Sequence, residues 1–394
     1  VTVVTIGMVG FLRPAMGADA KPIIIGVLED MSGPYSDFTG RGSVAAIKMA
    51  IDDAGGQVLG RPVQIVSADH LNKPDLAASI ARRWFDEGVE MIADVGNSAA
   101  ALAVQQVSRE KKRIVTIVGA SVSDLTGPRC SPFSAHWLYD TWGQAHNTAN
   151  AVLTTGGKTW FFLTADYVFG KTLESQATEA IVAADGKVLG HALAPLGTTD
   201  FSSQLLQARA SDAQIVGLAN AGTDLMNTVK QAAEFGLVRD GQKLAALILY
   251  ITDVHSLGLQ TAQGLVLSAG FYWDQNDATR AWSKRYFDQM HQMPSQVHAG
   301  DYSAAAHYLK AVVAAGTLDA ESVMAKMRDL PIEDFTTHGG KLRIDGRVAR
   351  DMYLFQVKTP AESKSEWDLY KQISVIPAEE ATRPLAQGGC PLVQ

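Results

Sequence analysis

Cysteine is nearly missing from this chain: 394 residues carry two, Cys130 and Cys390. That excludes a disulfide-dense small fold. No apolar run approaches the ~20 residues that a membrane-spanning helix needs. A concentrated basic block is also absent. With 34 Lys+Arg against 41 Asp+Glu the formal charge is -7, so nucleic acid is not expected as a partner. Low-complexity tracts and short repeats do not occur. The 47% hydrophobic content excludes disorder and a collagen-like chain. No Gly-x-Ser-x-Gly nucleophile turn is found, so a serine hydrolase of that type is not expected. What remains is a globular protein long enough for two domains, each with its own core.

The first twenty residues stand apart. Val1–Met16 has almost no polar side chains, and Ala18-Asp19-Ala20 supplies a small-x-small cleavage signal before Lys21. The stretch is expected to be an export signal cut after Ala20, here without its basic start. A strand built from the opening VTVVTI is the competing reading. Export agrees with the two cysteines. Both lie in proline-containing loops, and a Cys130–Cys390 bridge that pins the C-terminal tail is expected in an oxidising compartment.

From Lys21 onward two patterns alternate. Short, continuously apolar runs at 23–28, 63–66, 91–95 and 114–118 read as strands buried on both faces. Between them, residues 43–54, 74–87 and 99–111 repeat apolar side chains at helical spacing. The alternation then restarts, with strands at 159–164, near 188, at 215–219 and at 244–249, and with helices between them. A strand at 264–271 and helices at 278–290, 302–315 and 320–329 follow, and a hairpin-like end closes the chain. The fold class expected is α/β: two Rossmann-like lobes with parallel central sheets. Ligands bind such lobes at the carboxyl ends of the strands.

Two loops at those ends are informative. Gly96-Asn97-Ser98 precedes a helix, with Ser98 as the expected N-cap. Gly119-Ala120-Ser121 follows the next strand. Two neighbouring loops with small residues and hydroxyls, one at a helix N-terminus, suit a carboxylate.

Here the sequence resembles the periplasmic solute-binding proteins of ABC importers, in the branched-chain amino-acid class with the type I fold. The resemblance is carried by Ile25-Gly26-Val27-Leu28 with Met31-Ser32-Gly33-Pro34, by the stretch 56–62 before Val63-Gln64-Ile65, and by Gly119-Ala120-Ser121. Asp166-Tyr167-Val168-Phe169-Gly170 and Gln263-Gly264-Leu265 add to it. It covers roughly residues 23–376.

The resemblance implies a three-segment hinge between lobe 1 (21–139 plus 271–345) and lobe 2 (140–270 plus 346–394). It implies that Ser98 and Ser121 bind the ligand carboxylate, that Gly119 meets its amino end through backbone, and that Phe38 and Tyr167 contact it from the two lobes. The family's aromatic residue after 215–219 is replaced by Asn220-Ala221-Gly222, and the nearest acidic residue for an amino group is Asp253. Relatives of this kind include binders of benzoate derivatives, and Phe38, Tyr167, Tyr250 and Tyr302 are candidates to wall a flat ring. Ala120 and Asn220 complete the candidate site.

The implied role is capture of a small carboxylate, either an aliphatic or branched amino acid or an aromatic acid, for a cognate ABC permease. The protein would be a monomer in the periplasm, with no membrane insertion, cofactor, metal or catalysis. A ligand-sensing domain of an amide- or amino-acid-responsive regulator is the alternative.

Other motifs carry less. Residues 165–172 imitate a phosphate loop but have Ala165 in place of the first glycine, so nucleotide hydrolysis is not expected. Gly40-Arg41-Gly42-Ser43 does not directly follow its strand. His291, His298, Asp301 and His307 lack a metal-ligand spacing and read as core or solvated residues. His136, Trp137 and Asp140 read as hinge packing.

Overall fold

The computed structural model describes residues 21–154, 156–239 and 241–393. The expected export signal, 1–20, lies outside the described residues. Among the described residues no helix is long and apolar enough to cross a membrane.

The first lobe opens with β1 (Ile23–Glu29), α1 (Gly40–Asp53), β2 (Gln57–Val58), β3 (Arg61–Asp69), α2 (Pro74–Asp86), β4 (Val89–Ala93), α3 (Ser98–Lys111), β5 (Ile114–Ile117) and β6 (Ser134–His136). They form one sheet in the order β2-β3-β1-β4-β5-β6, parallel except for the β2–β3 hairpin. Ile25 on β1 pairs with Ile65 on one side and Met91 on the other. This central position explains the unbroken apolar run of β1, because helices cover both faces.

The second lobe contributes α4 (Thr141–Leu153), β7 (Thr159–Ala165), α5 (Val168–Ala183), β8 (Lys187–Ala194), α6 (Ser202–Ala210), β9 (Ile215–Ala219), α7 (Gly222–Glu234) and β10 (Lys243–Ala246). Its four strands are all parallel, in the order β10-β9-β7-β8. Two short helices, α8 (Ile251–Leu257) and α9 (Leu259–Ala262), lead to β11 (Val266–Ala269).

The chain then returns to the first lobe with α10 (Asp277–Met290), α11 (Gln296–Ala315) and α12 (Ala320–Asp329), and with the antiparallel strands β12 (Ile332–Asp334), β13 (Thr337–Leu342) and β14 (Val348–Ala349). Helix α11 starts six residues before its expected start at 302. The side chain of Ser295 caps it by accepting from Val297 N and His298 N. The earlier start turns His298 and Asp301 into buried residues one turn apart. Strand β15 (Met352–Val357) pairs with β11 and with β16 (Tyr370–Ile376), a strand the sequence reading missed, and α13 (Ala378–Ala381) follows.

The crossings between lobes are clamped by two buried arginines. Arg347 Nε donates to Asp140 Oδ2 at 3.1 Å, and its Nη atoms reach the carbonyls of His136, Leu138 and Val348. Arg350 Nη2 donates to Gly270 O and Thr336 O, both at 2.6 Å. His136, Asp140, Gly270 and the 347–350 segment are thereby tied together.

Residue 346 onward was assigned wholly to lobe 2, but the tail runs back. Cys390 is disulfide-bonded to Cys130 of the first lobe, and Arg383 Nη2 donates to Ser123 O at 3.2 Å. The tail is thereby tied to the first lobe. Both cysteines are buried rather than on the surface loops expected.

Candidate functional site

Where the strands of the two sheets end, the lobes touch. Thr223 N donates to Pro34 O at 3.1 Å, Gln176 Nε2 to Ser123 Oγ at 2.7 Å, and the Tyr35 and Tyr167 hydroxyls meet at 2.6 Å. The approach is tight at Gly222. Its φ is +58°, and a Cβ there would lie 2.3 Å from Pro34 O. Only glycine accommodates both conditions.

Between the lobes lies a small cavity of about 10 Å³, room for about one water. Its walls are aromatic: Tyr35 and Phe38 from the first lobe, Tyr167, Phe169 and Tyr250 from the second. Gly96, Ser98, Gly119 and Ser121 form the side towards the first sheet, and Ala221 completes the lining. No charged side chain lines it. That is far below the ~300–1,000 Å³ of ligand pockets, so a solute larger than water must displace lining rings or enter with the lobes apart.

Three helices point their N-termini at this space. Helix α3 begins at Ser98, α5 follows Tyr167, and α7 follows Ala221. Neither Tyr167 nor Ala221 makes a side-chain cap. The positive ends of three helix dipoles thus face a neutral space; the first amides of α5 have no side-chain cap, while those of α3 and α7 are partly taken by Asn97 Oδ1 and Pro34 O. That arrangement favours an anion.

The hydroxyls are arranged differently from the sequence reading. Asn97, not Ser98, caps α3, accepting from Ala99 N and Ala100 N at 3.0 Å. Ser98 Oγ instead accepts from Ser121 N and Val122 N at 3.3 Å and so joins the two loops. Its own proton remains free to donate, because both contacts use it as acceptor. The Ser121 side chain lines the same wall.

Gly119 sits between them with its backbone engaged on both sides. Its N–H donates to Asp94 Oδ1 at 2.7 Å and its carbonyl accepts from Tyr139 OH at 2.9 Å. Phe38 stacks on Tyr250 with ring centroids 3.8 Å apart, and the Tyr250 and Tyr139 hydroxyls bond at 2.5 Å. Burial raises the pKa of the Tyr35, Tyr139, Tyr167 and Tyr250 phenols, so all four act as neutral hydrogen-bonding groups.

The structure therefore gathers Phe38, Ser98, Gly119, Ser121, Tyr167 and Tyr250 at one cavity. Four other candidates lie elsewhere. Ala120 faces the hinge, where its carbonyl meets His136 Nε2 at 2.8 Å. Asn220 turns into the second lobe and donates to Thr228 Oγ1 at 2.9 Å. Asp253 accepts from Tyr250 N at 3.0 Å and fixes the start of α8. Tyr302 is on the outer side of α11, bonded to Asp53 at 2.7 Å and packed on Trp282 and Phe335.

Tyr35, Gly96, Phe169 and Ala221 were not nominated from sequence. Tyr35 and Gly96 stand in loops that directly follow strands, which was the available signal. Phe169 and Ala221 adjoin nominated residues.

A family model described as periplasmic binding protein matches residues 22–364. A periplasmic binding protein from Burkholderia mallei superimposes with a TM-score of 0.93. It is 49% identical, and the match covers 96% of this chain and 100% of that one. A branched-chain amino-acid ABC transporter periplasmic ligand-binding protein from Burkholderia xenovorans gives a TM-score of 0.83 at 41% identity, covering 94% and 99%. Among curated relatives, a Leu/Ile/Val-binding protein homolog of Brucella melitensis is 25% identical over 242 residues, with 60% of this chain and 60% of that relative's length matched.

Proposed function

From the premise that this chain belongs to the periplasmic binding protein family, we propose that it captures a small carboxylate outside the cytoplasmic membrane and delivers it to an ABC permease. It turns nothing over. The observation that carries this reading is the neutral aromatic cavity onto which three helix N-termini and the Ser98 and Ser121 hydroxyls converge. The carboxylate takes the helix ends and hydroxyls, and the aromatic walls take the apolar body. Closure of the lobes over the solute, through Tyr35–Tyr167 and Gly222–Pro34, supplies the shape the permease recognises. The near relatives are periplasmic proteins, which supports transport over the regulator reading.

An aromatic acid fits better than an amino acid. An ammonium group buried here would meet no carboxylate in the lining, because Asp253 is occupied at the start of α8. The Phe38–Tyr250 stack is a contact that a flat ring can replace ring for ring. The branched-chain designation of the 41% identical neighbour favours the amino-acid reading. Calorimetry against benzoate, 4-hydroxybenzoate, leucine and valine separates the two. Heat with the benzoates and none with the amino acids is the expected result. Heat with leucine alone reverses the choice, and silence from every carboxylate refutes the proposal.

A further inference from the structure

Directly beneath the cavity lies a group of three carboxyls with no cation. Glu29 ends β1, Asp94 follows β4, and Asp301 comes from the second turn of α11. All three are at most 1% exposed. Glu29 and Asp301 both interact electrostatically with Asp94, and Ser43 lies near Asp301. Asp94 has a defined role: its Oδ1 accepts from Val95 N, Val118 N and Gly119 N. Its Oδ2, Glu29 Oε1 and both Asp301 oxygens find no donor among the described residues. A carboxylate oxygen is an acceptor only, so three ionised carboxylates would leave those buried oxygens with no donor. A proton on Glu29 and one on Asp301 supply the missing donors.

The surroundings contribute no neutralising charge. No lysine or arginine among the described residues forms an ion pair with any of the three. His70 approaches from the loop after β3, but burial keeps it neutral. His298, one turn before Asp301, accepts from Ser295 N through Nδ1 and reaches Thr39 O through Nε2, the pattern of a neutral ring. Tyr139 from the hinge and Tyr286 from α10 also face the group as neutral phenols. Asp30 adjoins Glu29: its N–H donates to Glu29 Oε2 at 3.0 Å, and its carboxylate accepts from Gly33 N, Tyr35 N and Asn72 Nδ2. The side chains do not converge as metal ligands would.

The group is coupled to the cleft through two glycines. A Cβ on Gly96 would fall 2.7 Å from Glu29 Oε2, and one on Gly119 would fall 3.3 Å from Asp94 Oδ2. Both glycines line the cavity on the side of Ser98 and Ser121. The backbone of the two glycines, with the Thr39 methyl 3.0 Å from either Cβ position, separates the carboxyls from the place where the ligand anion would sit.

We propose that Glu29 and Asp301, packed beside Asp94, form a proton-binding site beneath the cleft, and that capture of a carboxylate above it is favoured by, and draws in, the protons they hold. Loss of a proton from Glu29 or Asp301 adds a buried negative charge under the anion and against Asp94. The unloaded site therefore repels the ligand, and by linkage the ligand raises the proton affinity of the site. This second half rests on the carboxylate reading of the cavity; the first half does not.

Infrared difference spectroscopy of the intact wild-type protein tests the first half without any ligand. Protonated-carboxyl absorption at pH 7 that diminishes in Glu29→Gln and in Asp301→Asn is the expected result. Absence of that absorption in the wild type overturns the proton site, as does stoichiometric metal in the purified protein. Calorimetry with benzoate and with leucine, in buffers of different ionisation enthalpy, tests the second half. Proton uptake on binding is expected, with affinity falling up to about tenfold per pH unit on the alkaline side for each proton linked. Binding with no proton exchange, or with proton release, overturns the coupling. If neither probe binds while the infrared signal is present, the reading of the cleft fails and the proton site stands.

Discussion

Replacing Ser98 and Ser121 separately by alanine should give two different phenotypes from the same wall of the cavity. Ser98 Oγ is the acceptor for the amides of Ser121 and Val122. Removing it leaves two buried N–H groups without a partner. Each such group costs about 1–3 kcal/mol, and the 3.3 Å separations place these bonds at the weak end. Together they predict a loss of about 2 kcal/mol, roughly a 30-fold change in the folding equilibrium. The Ser121 hydroxyl supports no other described group, so Ser121→Ala should stay within ~0.5 kcal/mol of wild type. Both changes remove a donor to the ligand carboxylate. A hydrogen bond to a charged group contributes about 1.5–3 kcal/mol, so each variant should bind roughly 10–200-fold more weakly. Urea denaturation of the three proteins measures the first effect, and calorimetry with the best-binding acid measures the second. Equal stability of Ser98→Ala and wild type would refute the role of Ser98 as the join between loops. A Ser121→Ala protein with undiminished affinity would remove Ser121 from the anion site.

Two further perturbations test the closed arrangement and the buried charges. Gly222→Ala places a methyl group against Pro34 O and forces alanine into a left-handed conformation that costs it about 1–2 kcal/mol. It should weaken binding at least tenfold and shift small-angle scattering towards the open form, although residue 222 does not line the cavity; scattering and affinity identical to wild type would show that this contact does not limit closure. Burial pushes the Asp253 carboxyl up to about 7, with the Tyr250 amide opposing and Asp37 adding to the rise. A raised carboxyl stabilises the fold below its unfolded pKa, and that contribution is lost as pH climbs from about 4 through 7. Asp253→Asn keeps an acceptor for Tyr250 N and removes the titration. It should match wild type near pH 4 and exceed it by up to ~4 kcal/mol at pH 8, an order-of-magnitude figure. The difference between the two proteins is the quantity to read, because neutral His136 and His298 titrate with the opposite sign. A pH-independent difference would mean that Asp253 is ionised in the fold.

The alternation of apolar runs and helical periodicity was enough to establish two parallel α/β lobes, because a strand buried on both faces has no other composition open to it. It also located the working loops, since those lie at strand ends by topology. Glycines and hydroxyls in Gly96-Asn97-Ser98 and Gly119-Ala120-Ser121 could be read for the same reason. The disulfide partner of Cys130 was legible by count, as only Cys390 was available.

Tertiary structure decided everything that depends on which way a side chain turns. Tyr35 enters the cavity and Tyr302 does not, yet both were tyrosines in plausible segments; Tyr302 lies on the face of α11 that packs against Asp53, Trp282 and Phe335, which local pattern did not reveal. Asp253 looked like a partner for an amine and is instead used by the backbone of Tyr250. Glu29, Asp94 and Asp301 are 65 and 207 residues apart in sequence, and nothing in their neighbours announces that they interact. Periodicity records which face of an element is buried. What meets that face, and hence whether a buried carboxyl keeps its proton, is fixed only when distant elements pack together.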